Sequence, residues 1–564
     1  MALSREHREL IDQGDELFSK RLVVLSLWQT LAENFYPERA DFTTPHQLGD
    51  EFASSLDTSY PIIARRDLAD SFGAMLRRPG THWFRHTLKR EQNLDEPGRK
   101  WLEMTTRVLR NAIYDGDSGF VKATKEGDND FATFGQCVLT SEPAFHPLRG
   151  FVLLHRCWHL RDVVWCDDAF GKIGHVQRRW EPTATQLKET FGEKNLHKEV
   201  VQACEKEPNR TFEIRHIRIS NQYAGEKSQT PFTSIYIDVK NEHLIEEKGI
   251  WNGMYVIPRW KTVPGSQYAY SPAAIAALPD ARLLQAMTYT LLTAGEYAVE
   301  PALVGYPEAI KGAIEVFPGG FTPLDAGYDE RLGEAIRPLM KGGERAIPLG
   351  LKMNQDTRVM IAEAFYLTKL GLPEAGQGGM SPYEIQQRIE EFIRATLPLF
   401  EPMETEYNGA LMEQDFDILF RAGAFGPNNQ IPESLRGQET EFRFESPMRM
   451  SIDRLKGQQL TEAMQMALLT AQVEPMAVRQ LDWLTAHRDA QRGIGTSAMW
   501  MKDEEVFAAE MEQAAKEQAL VKSAAMMSGG AQLATEVGTA TKTLKEAFSN
   551  QDGGSEKAPE KKAA

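Results

Sequence analysis

The chain has 564 residues, which calls for about three or four domains rather than one. Hydrophobic residues make up 42% and charged residues 26%, the balance of an ordinary soluble globular chain. Its 64 basic and 80 acidic residues leave a formal charge of −16, which does not favour gripping DNA over a broad basic face and says nothing against letting a polyanion pass without sticking.

Four cysteines (Cys137, Cys157, Cys166 and Cys204) in so long a chain do not make a disulfide scaffold. Residues 1–20 are charged throughout and lack the apolar core of a signal peptide. The longest apolar stretch, residues 283–294, is about twelve residues long, where a membrane span needs roughly twenty. The expectation is a protein that is intracellular or assembled inside a cell, with no direct membrane contact.

The N-terminal segment reads as helix. Ile11, Phe18, Leu25, Trp28, Ala32 and Phe35 form one stripe on a long rod ending near Pro37. A second helix follows Pro61, with Ala64, Leu68, Phe72 and Met75 inward and Arg65, Arg66, Asp67 and Asp70 outward, up to the breaker Pro79-Gly80. Residues 95–112 and 119–125 give two more helical pieces. From Gly150 the texture changes to short β-branched and aromatic runs at 151–158, 162–166, 173–180, 212–219, 234–239 and 253–260, with a helix at 183–191 between them. A β-rich insert (150–262) in a helical surround predicts an α+β domain over residues 1–270.

Ser271-Pro272 is a helix cap followed by proline at the first helical position, and Pro279-Asp280 renews the start one turn later. A rod to Glu300, a Gly/Pro-rich module over 301–350 and a second helix at about 355–370 predict a stalk with a small domain at its tip. Gly376-Gln377-Gly378-Gly379 is a flexible break. Most of the final third is helical, and residues 551–564 have the composition of a disordered tail.

Chemical motifs are scarce. Gly225-Glu226-Lys227-Ser228 lacks the first glycine of a phosphate loop, and no HExxH, GxSxG or GxGxxG is present. His155, Cys157, His159 and Cys166 are close in sequence, but alternation along a strand sets the first three in a line rather than a tetrahedron, so no metal is assigned. Asp115, Asp117 and Glu126 follow a calcium-loop spacing that fails at Phe120, where glycine is needed. Trp83-Phe84-Arg85-His86 and Arg178-Arg179-Trp180 are the best aromatic–basic patches, and strand packing accounts for both.

The order of several segments goes further. Residues 66–69 lead through Leu76-Arg77-Arg78-Pro79-Gly80 to Trp83-Phe84; Ser118-Gly119-Phe120 leads to Phe134-Gly135-Gln136-Cys137; and Gly171-Lys172-Ile173 precedes Arg178-Arg179-Trp180. Tyr268-Ala269-Tyr270-Ser271-Pro272 runs into Ala277-Leu278-Pro279-Asp280. Then come Met380-Ser381-Pro382-Tyr383-Glu384 with Arg388, and Phe444-Glu445-Ser446-Pro447. This series resembles the portal (head-to-tail connector) proteins of short-tailed, podovirus-type bacteriophages. Ala269 and Tyr270 stand where the family carries Gly-Arg.

The resemblance implies a multidomain α+β portal fold that is mainly helical. It has a wing (1–270), stem helices at 271–300 and 351–372, and a small α/β clip at 301–350. A tunnel loop and return to the wing follow at 373–450, with a helical crown or barrel at 451–550. The resemblance also implies a homo-oligomeric ring of twelve at one capsid vertex, assembled in the host cytoplasm. That ring is the channel for double-stranded DNA packaging and ejection. Its partners are the terminase large subunit, tail adaptor and nozzle proteins, and the major capsid and scaffolding proteins. Neither an enzyme activity nor a cofactor is implied. Within that frame Lys341, Lys352, Gln377 and Met380 are the candidates for contact with DNA in the channel. The rival readings are another virion structural protein, such as an internal core or tail-tube component, and an unrelated cytosolic enzyme.

Overall fold

The computed structural model describes residues 3–299 apart from 48, 79, 81, 90–94, 147–149 and 222–228. It also describes 303–305, 310, 336–338, 343–370, 403–427, 431–444 and 460–467, and scattered positions between 483 and 517.

Two helices open the chain, α1 (Arg5–Lys20) and α2 (Leu22–Phe35). The apolar stripe predicts one rod, and the structure breaks it at Arg21. The buried Arg21 guanidinium donates to the carbonyls of Leu160 and Arg161 at 2.5 Å and to that of Val163. Three carbonyls on one cation outweigh helical continuity, although burial lowers the Arg21 pKa to about 10. The break lets Leu10 and Ile11 lie on a sheet face while Trp28, Ala32 and Phe35 enter the main core.

Helix α3 (Tyr60–Leu76) buries Ala64, Leu68, Phe72 and Leu76. Arg65, expected outward, is instead buried: its Nε donates to the Phe35 carbonyl at 3.2 Å and its guanidinium lies 4.2 Å from the Tyr36 ring. Strand β1 (Phe84–Leu88) follows, then α4 (Glu96–Ile113), capped by the Asp95 carboxylate on the Gly98 amide, and α5 (Phe120–Phe134). Left-handed Gly119 and Gly135 bracket α5.

The β region starts earlier than predicted, with β2 (Val138–His146) paired to β3 (Gly150–Trp158). Strands β4 (Val163–Asp167) and β5 (Ile173–Trp180) lead to α6 (Ala184–Phe191), which opens with a Thr183–Gln186 capping box, and to α7 (Lys198–Lys206). Strands β6 (Ile214–Ser220), β7 (Phe232–Asp238), β8 (His243–Ile250) and β9 (Tyr255–Val256) complete the region. They form a five-stranded antiparallel sheet, β4-β5-β6-β7-β8, and a three-stranded sheet, β3-β2-β9. The sequence reading missed β8 because Glu246, Glu247 and Lys248 break the apolar alternation, as suits a strand at a sheet edge.

A π-helical turn, Ala273–Ala277, runs directly into α8 (Leu278–Val299). Pro279 has no N–H for the Ile275 carbonyl, and widening the turn accommodates that loss. Strands β10 (Leu303–Gly305) and β11 (Ile336–Pro338) pair antiparallel beyond α8, and α9 (Gly343–Ala364) returns, followed by α10 (Leu367–Leu370). Helix α9 begins before the expected boundary and carries Pro348 inside. One lost backbone bond is tolerable in a helix supported along its side by α8. Met403–Gly409 forms a second π-helical turn ahead of α11 (Ala410–Arg421), and β12 (Thr440–Phe444) pairs with β1, Phe84 opposite Phe444.

Candidate functional site

Helices α8 and α9 form an antiparallel hairpin. The Leu291 side chain fills the space where Gly350 has no Cβ, and Asn354 Nδ2 lies 3.4 Å from Thr288 Oγ1. Near the platform Ala281, Leu284, Ile361 and Phe365 are fully buried, and Phe365 meets Phe35 edge to face at 5.4 Å. These inward positions leave two broad faces, and each carries exposed apolar side chains, the second with the charged Glu296 and Arg358 among them. One presents Leu283, Ala286 and Tyr297 of α8 beside Leu349, Met353 and Met360 of α9. The other presents Tyr289, Leu292 and Val299 beside Leu351. Tyr289 is 62% exposed and Leu349 63%. A row of such side chains on both sides of one hairpin is an interaction surface rather than ordinary surface scatter. The outer edge of α9, away from α8, carries Lys352, Asp356 and Glu363, all exposed.

The root of the hairpin joins two of the motif segments. Gly135 adopts φ +78, and a Cβ there would lie 2.6 Å from the Ser271 nitrogen and the Tyr270 carbonyl carbon. Ser271 Oγ donates to the Thr133 carbonyl at 2.6 Å and accepts from the Ala274 amide at 3.1 Å. Gln136 Oε1 accepts from the Ala269 amide at 3.0 Å. Tyr268 packs on Trp165 (4.9 Å) and Trp28 (5.8 Å). Pro272 is buried, while Leu278 and Asp280 are half-buried and Pro279 is exposed at the start of α8.

The other motif residues serve the platform. Trp83 stacks on Phe444 at 6.1 Å and donates from Nε1 to the Tyr114 hydroxyl at 2.9 Å, while Phe84 contacts Phe442. The buried Arg77 guanidinium pairs with the Asp128 carboxylate and donates to Asn408 Oδ1 at 2.8 Å. Burial opposes charge on Arg77, but contact with Asp128 outweighs it and raises the Arg77 pKa, while burial of the Asp128 carboxyl raises its own pKa against the pull of Arg77.

His155, one of the residues weighed for metal, lies with both ring nitrogens against acceptors. These are the Ser118 carbonyl at 3.3 Å and the Asp415 carboxylate at 3.1 Å. Burial disfavours the imidazolium, yet Asp415 raises its pKa above the ordinary value. His159 pairs instead with Asp41, so the two histidines do not converge. Among the described residues no three His, Cys, Asp or Glu side chains are grouped to hold a metal ion. No described helix is long and apolar enough to cross a membrane. Lys341, Gln377, Met380, Glu384, Arg388, Ser446 and Pro447 lie outside the described residues.

Sequence reasoning missed Gln285. Its Oε1 accepts from the amides of Asp57 and Thr58 at 2.8 and 3.0 Å, and its Nε2 donates to the Thr58 carbonyl at 2.9 Å. The signal in the sequence is a carboxamide in a run that is otherwise apolar but for Thr288, Thr290 and Thr293.

Residues 7–501 match a protein family described as bacteriophage head to tail connecting protein. No curated protein matches the chain. Among solved structures, a chain of the "Virion of native gene transfer agent (GTA) particle" aligns over 75% of this chain and 92% of its own. The identity is 10% and the TM-score 0.32.

Proposed function

The chain belongs to the family of bacteriophage head-to-tail connecting proteins, and on that premise we propose that twelve copies form the portal ring at one capsid vertex. The ring is the channel through which double-stranded DNA is packaged and ejected. It is also the docking site for the terminase large subunit and for tail adaptor and nozzle proteins, and it meets the capsid and scaffolding proteins on the other side. In this reading the α8–α9 hairpin is the stem, the mixed α+β platform is the wing, and the segment spanning β10 and β11 is the clip.

The observation that carries the proposal is the hairpin with two different apolar faces. A two-fold dimer buries the same patch on both copies and would leave the second face bare. A heterologous contact buries one face of each copy against the other face of the next, and it generates a ring when the rotation closes. The excess of acid over base (80 against 64) suits a bore from which DNA phosphates are repelled rather than held. At the edge of α9, Asp356 follows Lys352 by one turn and Glu363 by three, so among the described side chains of that edge acid outnumbers base.

Cysteine cross-linking tests the contact. Leu292 and Leu349 stand on opposite faces of one hairpin and cannot join within a chain. A Leu292→Cys/Leu349→Cys chain should oxidise to a ladder of multimers reaching the full ring. Dimers alone, whatever the oxidation time, would overturn the heterologous contact.

A further inference from the structure

The hairpin leaves the platform through small side chains. Ala273, Ala277 and Ala281 are fully buried at its root, and the π-helical turn there carries one more residue than an α-helical turn. Alanines pack closely, and the apolar contacts that Leu284, Ile361 and Phe365 add beside them are non-directional. Among the described residues, polar bracing at this height comes from one side. Gln285, one turn up α8, closes three hydrogen bonds on the backbone of residues 57–58. At the same level Arg358 of α9 lies 5.6 Å from the ring of Tyr60, at the start of α3. Among the described residues, the opposite face at that height shows apolar side chains, the half-exposed Leu283 and Met360 with Met287 beside them.

A single carboxamide that satisfies two amides and a carbonyl of an otherwise exposed loop has a fixed orientation, because both of its ends are used. The brace therefore ties the stalk to the chain leading into α3 at one height and from one side. We infer that Gln285 is a positioning residue that sets the tilt of the hairpin on its platform and, through that tilt, the closure of the ring. The inference rests on the ring reading above. In a ring of twelve each copy turns about 30° from the last, so a tilt error of about 3° repeated in every copy accumulates to a whole subunit around the circle.

The test compares full-length wild type, Gln285→Ala and Gln285→Glu by hydrogen exchange and by particle imaging. In Gln285→Ala the amides of Asp57 and Thr58 should exchange about tenfold faster, as befits the loss of one local hydrogen bond each. Melting should stay close to wild type, while closed rings give way to open arcs or rings of mixed subunit number. Gln285→Glu keeps an acceptor for the two amides and loses the donor, so it should fall between. Faster exchange with rings closing as in wild type would overturn the positioning role, and unchanged exchange would overturn the brace itself. Absence of rings in the wild type counts against the ring reading instead, and the exchange result still judges the brace.

Discussion

Gly135→Ala tests the joint where the platform hands over to the stalk. Two costs add. A left-handed φ of +78 is strained for alanine by about 1–2 kcal/mol. The new methyl would also stand 2.6 Å from backbone atoms of Tyr270 and Ser271, which cannot swing aside as a side-chain tip can. Moving that backbone breaks the Ser271–Thr133 and Ala274–Ser271 hydrogen bonds, each worth about 0.5–1.5 kcal/mol. The sum is about 2–5 kcal/mol. Gly171→Ala is the control, since its φ is +71 and nothing lies within 4 Å of the added carbon, so only the strain remains. Urea-dependent hydrogen exchange of α5 and the base of α8 reads the difference where it arises. If Gly135→Ala costs no more than Gly171→Ala, the close approach does not hold these segments together.

Asp128→Ala leaves the Arg77 guanidinium buried without its anion and should cost about 3–5 kcal/mol in urea unfolding, whereas Arg77→Met with Asp128→Leu should recover most of the loss. A double variant as unstable as the single one would refute that reasoning. His86 and His175 are held neutral by burial, with pKa values lowered to about 4 from 6.5, and Arg218 adds to the effect on His175. The unfolded chain takes up these protons below pH 6.5 and the folded chain only near pH 4, so their contribution is present above pH 6.5 and is lost as pH falls through that window. The gap of 2.5 units corresponds to about 3 kcal/mol for each histidine. His86→Phe, placed between Phe416 and Phe442, should flatten the acid limb of stability measured against pH, and an unchanged slope would contradict the assignment. Leu292→Asp should leave the monomer's melting near wild type and block assembly, because a buried carboxylate replaces about 1 kcal/mol of apolar burial at each contact. Normal assembly of that variant would remove Leu292 from the interface.

The legible parts of the sequence were those governed by local chemistry. Asp95, Thr183 and Ser271 each announced a helix start, and each caps one through its own side-chain oxygen. The Gly/Pro-rich stretch between two helical runs likewise marked where α8 gives way to α9. What escaped was decided by partners distant in sequence. Arg21 breaks a helix because carbonyls about 140 residues away await its guanidinium. Arg65 turns inward toward Phe35, and β8 is held by β7 despite its charges. Of the site, two helical runs with a Gly/Pro-rich stretch between them could be read, but neither the two-sided apolar exposure nor the brace of Gln285 could. Both depend on which side of a helix its neighbour covers, and periodicity alone does not fix that.

If the two hairpin faces close on each other, the purified chain assembles into a ring. Imaging the purified wild-type chain, with a mass measurement on the same sample, tests it most directly. The expected result is rings of twelve, near twelve times 63.5 kDa, with an open central bore. A clean monomer or a two-fold dimer at every salt concentration would contradict it.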